Sequence, residues 1–292
     1  MPHHHLRLVA AFIFQLLALS AMAQTPRIAT SILPLQMLVK AIADPANPPQ
    51  LILPPDQSPH DHLLRPNEMR VLRNSTLVFW IGPNLEGFLA RPLAALPKTT
   101  QVVSLLQRTV RPSAPLADDP HLWLDPILTA SMVEQITATL SKADPAHRDT
   151  YRARALVLQR SLQRTDKQLK KILNPIRNKP FIVYHDGYQR LARYYGLNLV
   201  ASVSRNPNRP ISLRRLQEIR HIITQQRVSC LFSEPQFPSN SLRPLLQDNL
   251  RIGILDPLGV RLSPDRQTYH QLLVQLASDL RDCLTPKRLS EN

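Results

Sequence analysis

The chain has 292 residues, of which 43% are hydrophobic and 20% are charged. This composition excludes a disordered chain, and the length is sufficient for two hydrophobic cores. The formal net charge is +15, from 36 Lys and Arg against 21 Asp and Glu, so an acidic partner such as nucleic acid has to be considered first. With only 6 glycines and neither a GxxxxGK[ST] nor a GxGxxG motif, the sequence argues against a nucleotide-binding loop.

The first 23 residues have the pattern of a secretory signal peptide. An apolar stretch covers residues 8–19, and the small residues Ala21 and Ala23 flank Met22. We expect cleavage after Ala23, because a stretch of about a dozen residues is shorter than the roughly 20 that span a bilayer. No Cys lies near this position, so we expect an exported chain without a lipid anchor.

Strand-like and helix-like runs alternate in two blocks, which predicts two α/β lobes, each with a mainly parallel sheet flanked by helices. In the N-terminal lobe, residues 24–143, the predicted strands are 27–31, 50–53, 77–81 and 101–104, and the helices are 35–43, 66–73 and 85–96. In the C-terminal lobe, residues 178–292, the predicted strands are 181–185, 197–203, 228–234 and 251–256, and the helices are 188–195, 213–226, 239–249 and 269–284.

A linking segment between the lobes, residues 144–177, has the most regular helical pattern of the chain. Apolar or small residues recur there at steps of three and four, which predicts one helix over 145–173, about 43 Å long. Asp144 is the predicted N-cap, and Asn174-Pro175 ends the pattern. The opposite face is basic, so we expect much of the positive charge to be a solvated helix surface, carried by Arg152, Arg154, Arg160, Arg164, Lys167, Lys170 and Lys171.

The two cysteines, Cys230 and Cys283, form an even pair in an exported chain, which predicts a disulfide. Cys230 lies in a strand-like run and Cys283 near the end of the last predicted helix, so the bridge would attach that helix to the sheet. The alternative, a catalytic thiol, needs a free Cys beside a His, and an oxidising compartment disfavours it.

Three histidines, His60, His121 and His185, lie in loops or strand ends where ligands bind in open α/β sheets. Neutral imidazole is a common ligand of Zn²⁺, and Asp256, directly after a predicted strand, could supply an oxygen as the fourth ligand. The spacing alone leaves a second interpretation open, in which these residues are hydrogen-bonded structural histidines.

Five segments occur in a fixed order around the central helix: SPHDHLLRPNEMRVLRNSTLVFWIGPNLEGFL, DPHLWLDP, FIVYHDGY, LFSEPQF and ILDPLG. Together they closely resemble the ZnuA-type periplasmic zinc-binding proteins of ABC importers, in the cluster A-I family that also contains manganese binders. The resemblance covers essentially the whole chain after the signal peptide. It implies that His60, His121 and His185 bind the metal. It also places on Asp256 an acidic position that is a ligand in some members and is replaced by water or another group in others.

Two further residues near these motifs have an implied or open role. Glu234 resembles an acidic residue near the family's site, and we expect it to orient an imidazole by accepting its N–H; the alternative is a carboxylate that caps a strand end. His62 is either an auxiliary metal ligand or a solvated loop histidine. The segment 108–119 is short and contains no His, whereas zinc-binding members often carry a long His-rich loop there.

The resemblance implies an exported, monomeric protein without enzymatic activity, which binds Zn²⁺ in the periplasm and delivers it to the membrane permease of an ABC transporter. Nitrogen ligands favour zinc over manganese, although a manganese-binding member of the family is an alternative. An exported zinc hydrolase with Glu234 as general base is another, since three His with an open position also describe catalytic zinc. Nucleic-acid binding is disfavoured, because aromatic residues make up only 5% of the chain and no stacking motif is present.

Overall fold

The computed structural model describes residues 25–109, 116–204, 210–237, 239–246, 250–263 and 268–285. The predicted signal peptide, residues 1–23, lies outside these ranges. Among the residues within them, no helix combines the length and the apolar character needed to cross a membrane.

The N-terminal lobe contains a four-stranded parallel sheet in the order β2-β1-β3-β4. Its strands are β1 (Ile28–Thr30), β2 (Gln50–Leu51), β3 (Leu77–Trp80) and β4 (Gln101–Ser104). Its helices are α1 (Leu33–Ile42), α2 (Pro66–Asn74), α3 (Ala90–Ala94), α4 (Leu105–Thr109) and α5 (Pro126–Ala143). Strands β1 and β3 are central and buried on both faces, and β3 is accordingly a continuous apolar run rather than an alternating one.

The C-terminal lobe repeats this connectivity, with a parallel sheet in the order β6-β5-β7-β8. Its strands are β5 (Phe181–His185), β6 (Leu199–Ser204), β7 (Cys230–Ser233) and β8 (Arg251–Ile254). Helices α7 (Gln189–Tyr195), α8 (Leu213–Gln225) and α9 (Tyr269–Leu284) follow β5, β6 and β8. The predicted fold class of two parallel-sheet α/β lobes is confirmed.

Two predicted helices are wrong in type or extent. Residues 85–96 form a 3-10 turn, Gly87–Leu89, followed by the short helix α3, rather than one helix. Residues Ser239–Leu245 form a 3-10 helix instead of an α-helix. Pro92 lies in the first turn of α3, where its missing backbone N–H needs no partner within the helix, whereas a helix that began at residue 85 would lose a hydrogen bond there. Pro244 likewise removes the donor of one α-helical hydrogen bond from the segment Ser239–Leu245.

The predicted long helix between the lobes is confirmed as α6 (Arg148–Leu173), preceded by the 3-10 turn Pro145–His147. Asp144 does not cap it in the predicted way. Its carboxylate Oδ2 accepts hydrogen bonds from His147 Nδ1 at 2.7 Å and from the Tyr151 hydroxyl at 2.8 Å, not from backbone N–H groups. The basic face of α6 is exposed as predicted, with Arg154 alone half-buried.

One hydrophobic core joins the lobes around α6. It includes Phe79 of the first sheet, Phe232 of the second, and Leu162 and Leu169 on the inner face of α6. Cys230 of β7 and Cys283 of α9 form a disulfide with a Cα–Cα distance of 6.1 Å, which confirms the predicted bridge between the last helix and the sheet. This shared core fixes how the carboxyl ends of the two sheets face each other.

Candidate metal centre

Three histidines from two lobes meet between the carboxyl ends of the sheets. His60 lies in the loop after β2, His121 directly precedes the 3-10 helix Leu122–Leu124, and His185 is the last residue of β5. One ligand nitrogen from each ring lies within 4.8 Å of the other two. In the part of the chain that the structure describes, this is the one group of three or more His, Cys, Asp or Glu arranged to hold a metal ion.

His60 and His121 each have a free, neutral ring nitrogen of the kind that metal binding requires. Nε2 of His60 and Nε2 of His121 are buried without a hydrogen-bond partner, which is costly unless a ligand satisfies them. Burial, together with the neighbouring imidazoles, lowers the pKa of His60 to about 2. Burial also lowers the pKa of His121, against the opposing effect of Asp119. Both rings are therefore neutral at physiological pH, with lone pairs available to a cation.

A carboxylate lies close to one ring nitrogen of His121 and of His185. Asp119 Oδ1 accepts a hydrogen bond from His121 Nδ1 at 2.7 Å, which leaves Nε2 as the free lone pair. Glu234, directly after β7, places Oε1 at 3.3 Å from His185 Nδ1, and both side chains are buried. The Glu234 contact has the distance of an ion pair without the alignment of a hydrogen bond.

The cavity at the three rings has a volume of about 10 Å³, which is room for a single ion or water molecule. Its walls come from both lobes and are mostly apolar: Pro59, Trp123, Phe237, Pro257 and Leu258. Two hydrogen bonds close the lobes over it, from Trp123 Nε1 to the Pro257 carbonyl at 2.8 Å and from Gln236 Nε2 to the Pro55 carbonyl at 3.0 Å. The site is thus a small, largely enclosed cavity at the lobe interface.

The structure does not bring Asp256 or His62 into the three-histidine group. Asp256 is buried, and its two oxygens accept backbone N–H bonds from Gly259 at 2.8 Å and Arg261 at 2.7 Å. His62 Nε2 lies 2.8 Å from the buried carboxylate of Glu68. With an exposed fraction of 7%, His62 is not the solvated histidine of the alternative interpretation either.

Sequence reasoning missed three residues that shape this centre. A Cβ atom at Gly187 would lie 3.0 Å from the His185 ring and 3.1 Å from His121 Nε2, so a larger residue at this position would have to displace these imidazoles. Asp119 and Arg190 support His121 from the other side. The available signals were local, since Asp119 lies two residues before His121 and Gly187 two residues after His185.

The family of periplasmic zinc-uptake complex component A, ZnuA, matches residues 28–283, which is most of the chain. The chain belongs to this family. Among curated proteins, the high-affinity zinc uptake system protein ZnuA of Yersinia pestis is 28% identical over 88% of this chain and 91% of its own length. The ZnuA of Brucella suis is 27% identical over 97% of this chain and 98% of its own.

Solved structures agree on the fold. The periplasmic zinc-binding protein TroA from Treponema pallidum superposes with a TM-score of 0.81 at 20% identity, covering 89% of this chain and 99% of its own. The family resemblance predicted from the five sequence segments is confirmed by the family match over residues 28–283. ZnuA-family proteins are solute-binding components of zinc uptake, which agrees with the predicted role.

Proposed function

We propose that this protein binds Zn²⁺ in the periplasm and delivers it to the membrane permease of an ABC importer. One observation carries the proposal: three buried imidazoles from two lobes, with ligand nitrogens within 4.8 Å of one another and two of these nitrogens unpartnered. Membership in the zinc-uptake family and the names of the relatives support the choice of cargo and partner.

In this proposal His60, His121 and His185 bind the ion. Three neutral nitrogens suit Zn²⁺, whereas Mn²⁺ prefers more oxygen ligands, so zinc is favoured over manganese. The fourth position is open to a water molecule or to Asp256, which would have to share or release its bonds to Gly259 and Arg261. Glu234 lies 3.3 Å from His185 Nδ1 and supports this imidazole electrostatically.

A zinc hydrolase is less well supported. A cavity of about 10 Å³ holds an ion but has no room for a peptide or ester group beside it. The candidate base, Glu234, faces His185, so it is placed to orient a ligand. We therefore propose a binding protein without catalytic activity. We also propose, from the sequence and the family resemblance, that it is exported as a monomer after cleavage of residues 1–23 and carries no lipid anchor.

Metal analysis of tag-free protein tests the proposal. We expect one zinc per chain in the wild type, retained against competing Mn²⁺, and no bound zinc in the triple variant His60→Ala, His121→Ala, His185→Ala. The matched control removes three imidazoles outside the cavity, His147→Ala, His221→Ala and His270→Ala, and should bind zinc like the wild type. Zinc binding that persists in the first triple variant contradicts the proposed site.

Delivery and location need a cellular test. In a bacterium that lacks its own periplasmic zinc receptor, the chain should restore growth under zinc limitation only when the cognate permease is present. The protein recovered from the periplasm should begin at Gln24. Restoration by the first triple variant would contradict zinc delivery, and an uncleaved N-terminus would contradict the predicted processing.

A further inference from the structure

Arg190 is a buried cation that reaches from one lobe into the other. It lies in α7 of the C-terminal lobe and is 4% exposed. Its Nε donates to the carbonyl oxygen of Asp119 at 3.0 Å, and its Nη2 donates to the same oxygen at 2.6 Å and to the carbonyl oxygen of Leu116. Both acceptors belong to the N-terminal lobe, in the turn formed by residues 116–119.

This turn has a conformation that needs external support. Leu116 has a φ of 59°, in the left-handed region that is unfavourable for residues other than glycine. A hydrogen bond from the Asp119 N–H to the Leu116 carbonyl closes the turn at 3.0 Å. Arg190 donates to that same carbonyl, so the guanidinium stabilises the turn at both of its ends.

The turn also positions the imidazole ring of His121. Asp119 Oδ1 accepts from the backbone N–H of His121 at 3.0 Å and from its Nδ1 at 2.7 Å, which fixes the ring and directs Nε2 into the cavity. Asp119 Oδ2 lies 3.7 Å from Arg190 Nε, so the buried cation also faces this carboxylate. A continuous series of contacts therefore runs from the C-terminal lobe to a candidate metal ligand of the N-terminal lobe, through Arg190, Asp119 and His121.

We propose that Arg190 is a positioning residue for the metal ligand His121, acting across the lobe interface through Asp119 and the 116–119 turn. The inference rests on the proposed function and deepens it, because it couples metal affinity to the arrangement of the lobes. When the lobes separate, the guanidinium leaves the turn, and His121 loses its orientation at the same time as His185 moves away. A small separation of the two lobes is then sufficient to release the ion.

The test compares Arg190→Gln with Arg193→Gln, an exposed arginine on the same helix. Zinc Kd is measured by competition with a chromophoric chelator, beside the thermal midpoint of each apoprotein. We expect Arg190→Gln to raise Kd by 10- to 100-fold, the range typical of residues that orient a metal ligand, and Arg193→Gln to leave it unchanged. An unchanged Kd in Arg190→Gln, with or without a lower thermal midpoint, overturns the proposal by leaving a purely structural role.

A double-mutant cycle with Asp119→Asn tests the route. Because both residues act on the same ring, the double variant should lose less affinity than the product of the two single losses; independent losses that multiply overturn the route through Asp119. If Arg190→Gln does not fold, Arg190→Lys replaces it in the measurement of zinc Kd. Lysine keeps the charge without the planar fork, so we expect at least a threefold loss, and an unchanged Kd overturns the proposal. Wild-type protein that binds no zinc would instead refute the proposed function itself.

Discussion

The substitution Gly187→Ala tests whether the imidazoles of the metal centre tolerate an added methyl group between them. Gly187 follows β5 and lies between two of the three imidazoles. An added Cβ would meet His185 Cε1 and Nδ1 at 3.0 Å and His121 Nε2 at 3.1 Å. These contacts are shorter than the roughly 3.5 Å at which non-bonded heavy atoms attract one another best, so the two rings have to shift by about a few tenths of an ångström.

The expected loss of zinc affinity follows from how little metal–ligand distances can vary. Metal–ligand distances are held to about 0.2 Å, so a shift of this size is not compatible with both rings keeping their place at one ion. Overpacking in a close-packed interior costs about 1–3 kcal/mol. In the apoprotein the rings can turn aside, whereas the bound ion holds them in place, so most of this cost falls on the zinc-bound state. We therefore expect zinc Kd to rise by about 10- to 100-fold.

The matched control is Gly87→Ala, because a Cβ at Gly87 would have no atom within 4 Å. Both variants are titrated with zinc in competition with a chelator, and their apoproteins are unfolded with urea to separate affinity from stability. Gly87→Ala should bind like the wild type. A Gly187→Ala protein with wild-type zinc affinity would refute the reasoning, since it would mean that the imidazoles adopt a different arrangement around the ion.

Three further predictions concern pH, the disulfide and Asp256. The pKa of His60, and that of His121, is lower in the folded protein than the unfolded value of 6.5, so the unfolded chain binds more protons and the apoprotein should lose stability as pH falls below 6.5. For His60 the slope approaches about 1.4 kcal/mol per pH unit below pH 6.5, and His121 adds an effect of the same sign. Urea unfolding between pH 7 and pH 4 should detect this loss, and pH-independent stability would contradict the buried neutral imidazoles. Replacing Cys230 and Cys283 by Ala removes a bridge between residues 53 positions apart and should lower the unfolding free energy by about 4 kcal/mol. The urea midpoint should drop clearly, and an unchanged midpoint argues against the bridge. Asp256→Asn should weaken zinc binding much less than His121→Ala in the same chelator assay, because both Asp256 oxygens accept backbone N–H bonds; equal losses would identify Asp256 as a ligand.

The sequence predicted the elements with strong local signals. Strands such as β3 and β5 are apolar on both faces, because parallel strands between helix layers are fully buried. The helical periodicity of α6 predicted its extent to within about three residues at its start. Both incorrectly predicted helices contain a proline: Pro92 lies in the first turn of the short helix α3, and Pro244 lies inside the 3-10 segment.

For the site, the sequence by itself determined the candidates, and the tertiary structure decided which of them meet. Of seven histidines after the signal peptide, the motifs selected His60, His121 and His185, and the packing of two similar lobes around α6 brings these three together. Local sequence could not show that His62 faces Glu68 or that the oxygens of Asp256 are engaged by a loop. Nor could it show that Arg190 supports a turn 71 residues earlier in the chain. The Arg190 contact depends on how the lobes pack, because it joins residues whose separation along the chain carries no periodic signal, whereas the contacts of His62 and Asp256 depend on the conformation of their own loops.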